Sequence, residues 1–96
     1  MPFNPPYKWL TTGQITLATG VAGKIPATPD PGRRLLIITV FDTTNHIFVG
    51  PTSGVDTTSS PIQAGKVREF ALRANQDLYG YQASGGNVVV GYEEYG

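Results

Sequence analysis

The chain has 96 residues, enough for one domain with one modest core. Charged residues make up 15% of it, against ~25% in an average globular domain, and Lys+Arg and Asp+Glu cancel at 7 each. A neutral, charge-poor chain argues against nucleic-acid binding through phosphates and against docking on anionic membranes. The lack of cysteine excludes disulfides, thiolate catalysis and cysteine zinc sites.

Twelve glycines and eight prolines punctuate short segments rich in Thr, Val, Ile and Tyr, residues that favour strands. No window keeps the apolar stripe of an amphipathic helix, and no apolar run is long enough to span a bilayer. MPFNPPYKWL lacks the apolar centre of a signal peptide, so the expectation is a soluble chain without export. The expected fold is all-β: an antiparallel β-sandwich, jelly-roll-like, with an extended N-terminal arm over residues 1–13 and a single domain over 14–96.

In the arm, Pro2, Pro5 and Pro6 favour extended backbone and withhold ladder donors. Phe3, Tyr7, Trp9 and Leu10 are too many large apolar groups for a solvated tail, so they are expected to bind a partner or the domain itself. Gln14–Ala18 alternates as a strand, Val21–Ile25 is a short second piece, and residues 27–32 are a loop on turn chemistry. Arg33–Phe41 is the strongest strand. Leu36, Ile38 and Val40 share one face, and Leu35, Ile37 and Phe41 the other, so it is expected to be central or covered from outside. Asp42–Asn45 reads as the turn of a hairpin into a strand ending at Gly50.

A polar loop over Pro51–Ser60 and an edge-like piece over Pro61–Gly65 follow. Lys66–Arg73 changes phase between Val67 and Phe70, which predicts a bulge near Arg68–Glu69. Leu78–Ala83 places Tyr79 and Tyr81 on one face, Ser84–Asn87 reads as a hairpin turn, and Val88, Val90 and Tyr92 mark one face of the last strand. Surplus apolar faces make Leu35, Ile37, Phe41, Tyr79 and Tyr81 candidates for an oligomer interface.

Catalytic chemistry is not evident. His46 is the only histidine, Glu93 and Glu94 point to opposite faces of a strand, and each aspartate suits a turn. Arg33 and Arg34 suit the guarding of a strand edge. No enzyme activity, cofactor or metal is expected. Tyr79, Tyr81, Tyr92 and Tyr95 could form a sugar-binding platform with Trp9, which keeps a carbohydrate-binding module as the rival class.

The cadence of the chain from about residue 33 to 95 carries a resemblance. Ile47-Phe48-Val49-Gly50, then Ile62 and Gly65, then Phe70 to Leu72, then Leu78-Tyr79 and Gly85-Gly86 resemble the strand and turn order of small virion proteins of tailed bacteriophages. Ala64-Gly65 departs from the Pro-Gly usual there. The resemblance implies a non-enzymatic virion structural protein assembled in the host cytoplasm. It would be a capsid decoration (cement) protein, or else a tail, fibre or baseplate component. It further implies a homotrimer whose partner is the major capsid protein or another virion protein, with the arm as fastener.

Overall fold

The computed structural model describes residues 8–83 and 86–96. The expectations for Phe3 and Tyr7, and for Ser84 and Gly85, lie outside the described residues. The described residues hold no helix; the elements are β1 (Trp9–Leu17), β2 (Gly23–Lys24), β3 (Leu35–Val40), β4 (Ile47–Gly50), β5 (Ser60–Ile62), β6 (Val67–Phe70), β7 (Tyr79–Tyr81) and β8 (Val88–Tyr95). They form two four-stranded sheets, ordered β1-β8-β3-β6 and β2-β7-β4-β5, with antiparallel ladders throughout. The architecture is all-β and consistent with a β-sandwich.

Alternation determines the core. Leu17, Leu36, Ile38, Val40, Val88 and Val90 from the first sheet meet Ile47, Val49 and Ile62 from the second, with Ile25 and Leu78 closing the cluster. β3 lies centrally between β8 and β6; Leu36, Ile38 and Val40 face the core, while Leu35 and Ile37 are buried on the opposite face and Phe41 at its end is exposed. β-branched side chains fill most of these positions because they pack well on a pleated surface.

Several expected local features differ. Trp9–Gly13 belongs to β1 rather than to an arm: Trp9 pairs with Tyr95 and Thr11 with Glu94, leaving Leu10 in a bulge. The polar run Thr11–Gln14 hides this strand from a search for apolar alternation. Asp42–Asn45 does not close a hairpin, because β3 and β4 lie in different sheets, and neither do β7 and β8 form one. Turn chemistry marks where the chain reverses without saying which sheet it enters next.

No bulge interrupts β6, whose register against β3 is continuous from Val67 to Phe70. The phase conflict vanishes because Arg68, at the open edge between the sheets, takes the position expected of an apolar residue. Its Nη1 donates to Ser60 Oγ at 2.6 Å and to Pro61 O at 3.3 Å, and its guanidinium lies 5.0 Å from the Phe70 ring centre. One side chain thus ties β6 of the first sheet to β5 of the second.

The charged residues also depart from the surface roles expected of them. Arg33 does not guard an edge, and Glu94 is not a solvated strand end. Both are buried, and Arg33 Nη1 lies 3.1 Å from Glu94 Oε2. Asp30, Asp42 and Asp56 do accept turn amides, from Gly32, from Thr44 and Asn45, and from Thr58. Asp77 instead meets Lys24 at 3.2 Å.

Candidate functional site

On the first sheet, the outward residues of the strands follow from the pairings. Thr12, Gln14 and Thr16 of β1 stand opposite Glu93, Gly91 and Val89 of β8. These face Ile37, Thr39 and Phe41 across β3, and Val67 lies opposite Thr39 on β6. Trp9 and Tyr95 share the same side at the far end.

This face carries most of the large apolar exposure among the described residues: Trp9 at 63%, Val67 at 59%, Phe41 at 51% and Val89 at 37%. Val89 and Phe41 are ladder neighbours, with Phe41 N–H donating to Val89 O at 3.3 Å, and Val67 is one diagonal step from Phe41. Such diagonal neighbours are within reach of an aromatic ring. The three residues form one apolar patch spanning β8, β3 and β6.

Beside the patch is a shallow concavity of about 440 Å³, lined by Thr12, Gln14, Thr39, Phe41, Gly91 and Glu93 among others. Gly91 makes room for the aromatic ring: a Cβ there would lie 2.6 Å from two ring atoms of Phe41. Towards Trp9 the face becomes polar. Glu93 hydrogen-bonds Tyr95, whose phenol is raised above its ordinary 10.0 by burial first, then by the Glu93 charge and that bond.

The sequence-predicted interface residues are split by the fold. Leu35 and Ile37 are buried within the single chain, with Ile37 between Glu93 and Glu69 across its ladders. Long acidic side chains can cover an apolar neighbour with their stems. The surplus face inferred from Leu35 and Ile37 therefore reduces to Phe41. Tyr79 and Tyr81 are half-buried on the second sheet, where Gly80 between them faces the core at Leu17 and Ile25.

Nor do the tyrosines form one platform with Trp9. Tyr92 packs against the core, Tyr95 lies beside Trp9 on the first sheet, and Tyr79 and Tyr81 lie on the second. Trp9 is exposed and Leu10 half-buried. His46 is exposed, its ring packed edge-on against Phe48 at 5.0 Å. Among the described residues no three His, Asp or Glu side chains converge as a metal site would require. Val67 and Val89 escaped sequence reasoning because an isolated valine on a strand carries no sign of which face is covered.

No protein-family model, curated protein or solved structure matches the chain.

Proposed function

We propose that this chain is a non-enzymatic virion structural protein, a decoration (cement) protein that seats on a phage capsid through the outer face of the β1-β8-β3-β6 sheet and the segment leading into it. The observation that carries this reading is the concentration of exposed apolar side chains on one sheet face. Contiguous exposed apolar patches mark interaction sites more often than chance surface. Phe3 and Tyr7 precede Trp9 in sequence and add aromatic anchors of the kind enriched at binding hot spots.

The strand pairing supports a jelly roll as the finer description of the fold. β1 pairs with β8, β2 with β7, β3 with β6 and β4 with β5, which is one long hairpin of nested pairs wrapped over a core. Jelly rolls occur in viral capsid proteins and in lectins, an analogy of fold and not of site. The test is occupancy of particles produced by the genome that encodes this chain. Wild-type chain should co-purify in fixed ratio to the capsid protein, and Phe41→Ser with Val67→Ser should lose occupancy while keeping the fold. Unchanged occupancy of the double variant would overturn the reading.

One observation favours carbohydrate binding as a second reading: Thr12, Gln14, Thr39 and Glu93 surround the Phe41 ring in one concavity. Polar groups around an aromatic surface suit a sugar ring. Binding on a glycan array that is lost in Phe41→Ser would select this reading over the first.

A further inference from the structure

Four strands end the two sheets, and three of those edges are blunted. β2 is two residues long and carries Lys24, β5 is three residues long and contains Pro61, and β6 carries Arg68 and Glu69. Short length, proline and charge are the usual devices that stop an edge from recruiting another strand. β1 has none of them, and past the bulge at Leu10 its register runs unbroken from Thr11 to Leu17. Its nine residues, WLTTGQITL, include no charge and no proline, and it is the longest strand among the described residues.

The edge also presents its hydrogen-bonding groups in a defined pattern. Val89 accepts from Phe41 on the β3 side, and Lys8 and Gly96 exchange two backbone bonds on the β1 side. Alternation along β8 then turns Val88, Val90 and Tyr92 toward β1, where they oppose Leu17, Ile15 and Gly13. Thr12, Gln14 and Thr16 accordingly point their N–H and C=O away from β8, and their side chains are exposed.

We infer that β1 pairs antiparallel with β1 of a second copy, joining two four-stranded sheets into one sheet of eight about a two-fold axis at Gln14. A second copy fits because this register is self-complementary: Thr12 faces the partner's Thr16 and Gln14 faces its counterpart, with every outward N–H and C=O of the three residues satisfied. Threonine pairs directly across a ladder are favourable, and an uncharged strand places no like charges opposite each other. An isologous contact of this kind closes as a dimer and cannot extend further. The pairing uses the backbone edge of β1, whose Thr12 and Gln14 side chains also line the concavity beside Phe41, whereas docking rests on Phe41, Val67 and Val89. Pairing is read from mass and amide exchange and docking from particle occupancy, so the failure of one is distinguishable from the failure of the other.

The experiment is sedimentation equilibrium with amide hydrogen exchange across a concentration series. The expected species at high concentration has twice the chain mass of 10.3 kDa. Exchange at Thr12, Gln14 and Thr16 should slow as it forms, while the loop amides stay unchanged. Gln14→Lys, which sets two charges together at the axis on an exposed position, should return the monomer, with a melting curve that matches wild type at concentrations too low for the dimer to form. A monomer at every concentration, a trimer, or a dimer indifferent to Gln14→Lys would each overturn the inference. If Gln14→Lys fails to fold, the concentration dependence of exchange at the three amides in the wild-type chain decides alone.

Discussion

The guanidinium of Arg33 and the carboxylate of Glu94 meet at 3.1 Å in the protein interior, the side chains exposed by 0% and 1%. Among the described residues, no buried side-chain nitrogen or oxygen lacks a hydrogen-bond partner, and those of this pair are no exception. Arg33 also donates to the carbonyls of Leu72, Arg73 and Gln76 at 3.1, 3.0 and 2.7 Å. Glu94 accepts from the Thr11 hydroxyl and the Asp30 amide. The pair therefore links the segment before β3, the turn after β6, and β1 through β8. It closes the end of the domain where the Trp9 end of the docking face begins.

Breaking that pair should be costly. Arg33→Met or Glu94→Gln is expected to destabilise by about 3–5 kcal/mol, because each leaves a buried charge without its partner. The double variant should not recover wild-type stability, since the carbonyls of Leu72, Arg73 and Gln76 lose the donor that Arg33 supplies. Urea denaturation of the three variants checks both statements.

Replacing Gly91 by alanine should separate fold from docking. The new Cβ would strike the outer ring atoms of Phe41. Phe41 is half-exposed, so its ring can swing outward. Gly91→Ala should melt close to wild type yet bind particles more weakly, as seen by co-sedimentation.

The Arg68 latch should contribute little. It is exposed and bonds only neutral acceptors, Ser60 Oγ and Pro61 O. Arg68→Ala is expected to cost ~1 kcal/mol or less. Added salt should not change that difference, because no anion takes part; thermal melts at low and high salt read it directly.

Stability should have an acid limb set by turn carboxylates. Asp42 lies below its ordinary 3.8 through the amides of Asn45 and Thr44, and Asp56 lies below it through the hydroxyl and amide of Thr58. A carboxylate whose folded pKa is depressed stabilises fully above its unfolded value and loses that contribution as pH falls through the folded one. Stability should thus decline from near pH 3.8 downward, and Asp42→Asn should make the decline shallower. Tyr95, raised above 10.0, acts oppositely: its contribution holds below that value and is lost as pH rises through the folded one.

Strand positions were legible in the sequence wherever apolar alternation was strong, as in Leu35–Val40 and Val88–Tyr92. Sheet membership was not, because Asp42–Asn45 carries turn residues that serve a crossing between sheets as well as a hairpin. Charge misled in both directions. Arg33 and Glu94 were read as surface because burial of a charge depends on a partner 61 residues away. Arg68 broke an apolar phase that the sheet edge tolerates. Of the docking face, Phe41 and Trp9 were visible as surplus aromatics. Leu35 and Ile37 looked equivalent to them until the ladders placed Glu93 and Glu69 beside Ile37.

The docking claim is tested most directly by imaging, at residue resolution, the particle made by the genome that encodes this chain. The chain should lie on the capsid surface, with Phe41, Val67 and Val89 against a capsid subunit and the second sheet, with Tyr79 and Tyr81, turned away. A particle lacking the chain, or one that holds it with Phe41 and Val67 facing solvent, would contradict the account.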